Sequence, residues 1–266
     1  LSHMSAFGNA RILEGIVSTA AKHGYSTTIR TLDTLQDRSL AGALKLVEDL
    51  PLDGVIVIME RDFPDFNQFT PPQNLPVVLI SEEPADNCVT IDSDSYGCST
   101  AAVDYLLSKG HHTVYHIAGP SASRAAQSRI RGWHDALAQV GAAIPPLYIG
   151  DWGADSGYQA GLALAHEKEC TAVYAANDQM AYGAMLGLRA AGKRVPEDIS
   201  IIGVDDSLEG MVPRLELTTM RLRFHELGRE AFAMIERQHN GEKIAVGVKT
   251  VIPPEFVDRG SVRELK

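Results

Sequence analysis

Ala172-Val173-Tyr174-Ala175-Ala176, then Asn177, a helical pattern from Asp178 to Ala190, Gly192, and finally Ser200-Ile201-Ile202-Gly203-Val204: this stretch decides the fold. The first and last pieces are short, nearly unbroken apolar runs, the composition of strands covered on both faces. Between them the apolar residues recur at helical spacing. Gly192 follows as a residue able to adopt the left-handed conformation that ends helices. The unit reads strand, helix, strand, and it belongs in a parallel sheet.

The same alternation extends in both directions. Gly54-Val55-Ile56-Val57-Ile58, Val77-Val78-Leu79-Ile80 and Thr113-Val114-Tyr115-His116-Ile117 are further strands. Helical patterns cover Ala10 to Lys22, Ser39 to Asp49, Ser95 to Leu107, Ala125 to Val140 and His225 to His239. Gly24, Gly110 and Gly141 close several of these. Pro71-Pro72, Pro145-Pro146 and Pro253-Pro254 mark turns, but no Pro- or Ser-rich linker cuts the chain in two. Leu1-Ser2-His3-Met4 leads into a helix with no strand before it, as either a tag remnant or the native tail of a strand.

Composition limits the function. Of 266 residues, 45% are hydrophobic and 22% charged, an ordinary soluble balance. Aromatics make up only 6%, so aliphatic side chains must carry the cores. Lys and Arg number 24 against 34 Asp and Glu, a net charge of −10 that repels phosphate backbones. Contact with DNA therefore requires a separate basic module. Cys88, Cys98 and Cys170 are odd in number and lack metal-ligand spacing, as expected of small buried residues in a reducing compartment. No apolar run approaches the ~18 residues of a membrane span, and no export segment opens the chain. The expected location is the cytoplasm, with no membrane partner. Nucleotide-binding glycine motifs, a nucleophile elbow and metal-ligand clusters are all missing from the sequence. No catalytic residue, metal or cofactor is expected. His111 and His112 fall in a helix-to-strand turn and read as solvated.

Three stretches, in order, carry a resemblance. They are Gly150-Asp151-Trp152 with Ser156-Gly157-Tyr158-Gln159; Ala176-Asn177-Asp178-Gln179-Met180-Ala181-Tyr182-Gly183-Ala184; and Val195-Pro196-Glu197-Asp198-Ile199-Ser200 through Asp205-Asp206, followed by Leu217-Thr218-Thr219. Lys109-Gly110-His111, Ala118-Gly119-Pro120 and Arg129-Ile130-Arg131-Gly132-Trp133 fit the same pattern. Together they resemble the effector domain of the lac-repressor (LacI/GalR) family from about Ser2 to the C-terminus. The resemblance implies an α/β, periplasmic-binding-protein-like type I fold, with two doubly wound parallel-sheet subdomains joined by three crossovers. Residues 1–93 and 223–250 form the N-subdomain, and residues 94–222 and 251–266 the C-subdomain. The ligand lies in the cleft between them. The helix-turn-helix DNA-binding head of the family is absent from residues 1–266.

A sugar has hydroxyls on its rim and an apolar C–H face, so its site wants planar polar groups and an aromatic wall. Asp205 follows the strand ending at Val204; it reads as a helix cap or loop carboxylate on its own, and as a ligand for two hydroxyls by resemblance. Asn177 has the same two readings, with Asp178 able to take the cap and free Asn177 for the ligand. Arg129 would be a solvated helical arginine on its own; the resemblance turns its fork of donors toward the ligand. Trp152 is the stacking wall by resemblance, whereas Trp133, inside a helix, is the core candidate. Ser81 and Ser2 match further ligand-contacting positions. Ser81, Ser93 and Leu222 stand where the family's type member has Asp, Phe and Gln, so its galactoside preference is not carried over.

The function implied is that of an effector-binding and dimerisation core. A small molecule, expected to be a sugar, switches the operator affinity of a homodimer that contacts DNA through the separate head, with repression favoured over activation. A periplasmic sugar-binding receptor of a transporter is the alternative with the same fold. A sugar-cleaving enzyme is a second alternative, for which Asp205 and Asp151 are the carboxylates to nominate.

Overall fold

The apolar runs become strands and the amphipathic stretches become helices in the computed structural model, which describes residues 6–32 and 39–265. Along the chain, α1 (Phe7–Lys22) and α2 (Leu40–Lys45) precede β1 (Val55–Ile58), β2 (Val77–Ile80) and β3 (Val89–Asp92). Next come α3 (Ser95–Ser108), β4 (Tyr115–Ala118), α4 (Arg124–Gln139), β5 (Tyr148–Ile149) and α5 (Ala154–Leu164). They are followed by β6 (Ala172–Ala175), α6 (Asp178–Ala190), β7 (Ser200–Val204) and β8 (Thr218–Arg221). The last elements are α7 (Phe224–His239), β9 (Lys249–Val251) and β10 (Glu255–Val257).

Two compact units result: Leu1–Ser93 with Arg223–Ile252, and Asp94–Leu222 with Pro253–Lys266. Val251 and Ile252 fall in the first unit, a correction to the subdomain limits read from the sequence. The cause is strand pairing: Val251 lies opposite Asp92 in the β9–β3 ladder, and the Ile252 N–H donates to the Asp92 carbonyl at 2.9 Å.

In the first unit β1, β2, β3 and β9 form a wholly parallel sheet in that order. Helices α1 and α7 touch backbone to backbone. A Cβ on Gly15 would lie 2.2 Å from the His225 carbonyl oxygen, and one on Gly228 2.1 Å from that of Ile12. The core joins Leu40, Val57, Val77 and Leu79 with Phe63, Phe66 and Phe69, so it is less purely aliphatic than composition suggested.

The second unit has the strand order β10-β8-β7-β6-β4-β5. All pairs are parallel except β10 with β8, an antiparallel edge of the kind common on such sheets. Helices α5 and α6 pack through Gly157 and Gly183. Their hypothetical Cβ atoms would lie 2.2 Å from the Met180 carbonyl oxygen and 1.9 Å from that of Ala154. Gly192, just beyond α6, has φ +80°, the left-handed value its position required. The three cysteines are buried and unbridged, and burial pushes the Cys88 and Cys170 thiols up to about 12.

Candidate effector site at the carboxyl edge of the second sheet

Parallel strands deliver the residues that follow them to one edge of the sheet. In the second unit β4 is followed by Gly119, β5 by Gly150-Asp151-Trp152, β6 by Ala176-Asn177, and β7 by Asp205. Arg129 reaches the same place from α4 and is 4% exposed. Four residues expected to contact ligand, Arg129, Trp152, Asn177 and Asp205, are thereby brought together.

Trp152 has φ +73°, a conformation rare for a bulky residue. Two contacts hold it there. The Asn177 side-chain N–H donates to the Trp152 carbonyl at 2.9 Å, and the indole lies directly over Gly119, where a Cβ would come within 2.2 Å of the ring. The Arg129 guanidinium carbon sits 5.6 Å from the indole centroid, a cation–π distance. Arg129 also donates to the Ala176 carbonyl through Nη1.

Its Nη2 is 3.7 Å from Asp205 Oδ1, close enough for charge attraction but too long for a hydrogen bond. Asp205 Oδ1 has no hydrogen-bond partner among the described residues, although the side chain is only 10% exposed. Burial raises the Asp205 carboxyl to about 6, against the pull of Arg129. An acceptor buried without a bond is costly, and a hydroxyl placed there would satisfy it.

Asn177, not Asp178, caps α6: its Oδ1 accepts from the Met180 N–H at 2.9 Å. Of the two readings left open by the sequence, the cap falls to Asn177, and the possibility that Asp178 takes it is not realised. Asp178 turns inward instead, accepting from the Ser207 N–H at 2.8 Å and the Thr219 hydroxyl at 2.7 Å. Burial lifts its carboxyl to about 8. A glycine inside a strand often marks a close approach, and Gly203 is one: a Cβ there would fall 2.2 Å from Asp178 Oδ1.

The remaining candidates are described each in its own unit. Ser81 directly follows β2 in the first unit, 3% exposed, with its hydroxyl accepting from the Glu83 N–H at 3.3 Å. Ser93 and Leu222 are buried, and Ser2 lies outside the described residues. Trp133 is 2% exposed and donates to the Val114 carbonyl at 2.7 Å. Asp151 is exposed and accepts from the Gly153 N–H at 2.8 Å, the work of a turn carboxylate. His111 is buried rather than solvated, bonded to Thr171 Oγ1 at 2.9 Å and Ser200 Oγ at 3.1 Å. These two hydroxyls hold the ring out of solvent, and burial pushes it down to about 4. His116, fully buried, stacks on Tyr174 with centroids 4.7 Å apart, and burial pushes it down to about 4 as well. Sequence reading missed Asp178, Gly119 and His116 as parts of this environment. Among the described residues no group of three or more His, Cys, Asp or Glu could hold a metal ion, and no helix is long and apolar enough to cross a membrane.

Comparison with known proteins assigns the fold a family. Residues 103–262 match the periplasmic binding protein-like domain family. The chain is 31% identical over 261 residues to the HTH-type transcriptional repressor CytR of Escherichia coli K12, covering 96% of this chain and 76% of that protein. It is 28% identical over 262 residues to the repressor PurR of Haemophilus influenzae, covering 96% and 78%. Among solved structures, the lac repressor bound to ONPG in its repressed state superposes with a TM-score of 0.86 at 26% identity, covering 98% and 79%. A complex of the transcriptional regulator CelR with cellobiose gives 0.77 at 27%, covering 96% and 79%. These relatives are transcriptional regulators, which sets aside the transporter receptor as the alternative. The chain belongs to the lac-repressor (LacI/GalR) family and represents its periplasmic-binding-protein-like, effector-binding part.

Proposed function

We propose that the carboxyl-edge site of the second unit binds a sugar or sugar derivative, and that this binding switches the DNA affinity of a homodimeric repressor acting in the cytoplasm. The observation that carries the reading is the Asp205–Arg129–Trp152 arrangement. It combines a buried acceptor with no hydrogen bond among the described residues, a guanidinium 3.7 Å away and an indole whose centroid lies 5.6 Å from that guanidinium. Adjacent hydroxyls satisfy the acceptor and the donors together, while the indole covers an apolar sugar face. Asn177, with its cap and its bond to Trp152 both made, contributes its second amide hydrogen. Ser81 and, if native, Ser2 are the further contacts proposed.

The −10 charge suits these residues poorly to phosphate, so operator DNA is contacted through a basic module distinct from them. A coupling of about 1–3 kcal/mol between effector and DNA changes operator affinity roughly 5- to 150-fold. The regulator relatives support a binding protein over an enzyme. Serine at 81 and 93 and leucine at 222 point away from galactosides, since they offer the ligand no carboxylate, ring or amide at those positions.

A thermal-shift screen of sugars and sugar phosphates tests the reading. At least one should give a saturable stabilisation, because a ligand of the folded state raises apparent stability. The shift should be lost in Asp205→Ala and in Arg129→Ala. A saturable hit that survives both changes places the site elsewhere.

A further inference from the structure

Asp205 and Asp206 have φ +98° and +56°, two consecutive left-handed residues that both carry side chains. Such a turn needs anchoring from its surroundings. On one side the Ser207 N–H is held by Asp178 Oδ2 at 2.8 Å, and Asp178 Oδ1 in turn takes the Thr219 hydroxyl at 2.7 Å. On the other, the Asp206 carboxylate is clamped by Arg221, whose Nη2 and Nε lie at 2.6 and 2.8 Å, and by Arg259 Nη1 at 2.7 Å. Asp205 itself is tied to β8 through its N–H, which donates to the Met220 carbonyl at 2.9 Å.

Asp178 is fully buried and does not cap its own helix, a duty Asn177 performs. Both of its bonds go to the β7–β8 region, and the missing side chain of Gly203 leaves the space for them. We infer that Asp178 is a positioning residue for the effector site: through Ser207 and Thr219, and with the Asp206–Arg221–Arg259 clamp, it fixes the turn so that Asp205 presents an unbonded oxygen beside Arg129. The role of this turn in binding rests on the effector reading above; its geometry does not.

Three variants, Asp178→Ala, Asp178→Asn and Thr219→Val, are compared with the wild-type chain by three measurements. These are hydrogen exchange at the Ser207 amide, the carboxyl titration of Asp205 by carbon NMR, and calorimetric titration with cellobiose and with the strongest hit of the sugar screen. In Asp178→Ala, Ser207 exchange should quicken at least tenfold. The Asp205 midpoint should fall from about 6 toward its ordinary 3.8 as the loosened side chain reaches water, and affinity for the bound sugar should fall at least tenfold. Asp178→Asn should restore all three, since its amide oxygen can accept from Ser207 and its N–H₂ donate to the Thr219 hydroxyl. Thr219→Val, which removes one bond with little change of shape, should move Ser207 exchange and the Asp205 midpoint in the same direction by less, and it decides the matter should Asp178→Ala not fold. Wild-type exchange and titration in Asp178→Ala, or in Thr219→Val where it stands alone, overturn the inference. A wild-type chain that binds no sugar overturns the effector reading alone, because exchange and titration still report on the turn.

Discussion

Asp205→Asn should make the unliganded protein more stable while abolishing effector binding. The carboxyl sits at about 6 in the folded chain against an ordinary 3.8, raised by burial despite Arg129. A folded value above the unfolded one means that stability is greatest where the group is protonated and is lost as pH rises through about 6. At pH 8 the ionised side chain therefore costs the folded state up to about 3 kcal/mol, from 1.36 kcal/mol for each unit of difference. Asparagine keeps the shape without the charge, and for chains of this size each kcal/mol corresponds to roughly 2–4 °C in Tm. Circular-dichroism melts at pH 8, 6 and 4 should show the variant melting several degrees higher at pH 8, with the gain shrinking to nothing near pH 4. A variant that melts lower at pH 8, or a gain that does not change with pH, refutes the assignment of Asp205 as a strained, buried acceptor.

The other expectations are as quickly tested. Gly119→Leu should push the Trp152 indole off its seat, weakening effector binding more than tenfold with little loss of secondary structure; unchanged affinity and unchanged Trp152 fluorescence would count against the indole as a wall. Gly183→Ala forces α5 and α6 apart against a 1.9 Å clash and should cost about 1–3 kcal/mol in denaturant melts. His111 and His116, both near 4 when folded against an ordinary 6.5, bind protons more readily once unfolded, so they remove stability as pH falls below 6.5; His111→Gln should flatten that acid limb. Sedimentation at micromolar concentration should show a dimer, and a strict monomer would remove the homodimer from the proposal.

Long buried elements were legible because their chemistry repeats. β7 and α6 follow directly from an unbroken Ser200–Val204 run and a helical apolar stripe. Helix α5 was not anticipated: Gly157 and Gly161 lower its helix propensity, and their purpose, contact with the backbone of α6, exists only in the folded chain. The short strands β5, β9 and β10, of two or three residues each, carry too little pattern to register. At the site, the sequence pattern located Asn177 and Asp205 at strand ends, where each also reads as a cap or loop residue, and the resemblance nominated all four of Arg129, Trp152, Asn177 and Asp205 as ligand contacts. The sequence could not say which of Asn177 and Asp178 caps α6, because both are good caps; tertiary partners at Ser207 and Thr219 draw Asp178 away. His111 illustrates the same limit, since its partners Thr171 and Ser200 lie 60 and 89 residues along the chain.

Asp205, Arg129, Trp152 and Asn177 are proposed as the effector site. A crystal structure of the chain with the strongest hit of the sugar screen tests it most directly. A ligand hydroxyl should lie within hydrogen-bond distance of Asp205 Oδ1 and of the Arg129 guanidinium, with a ring face against Trp152. A ligand bound with Asp205 Oδ1 still unbonded, or bound away from these four residues, contradicts it.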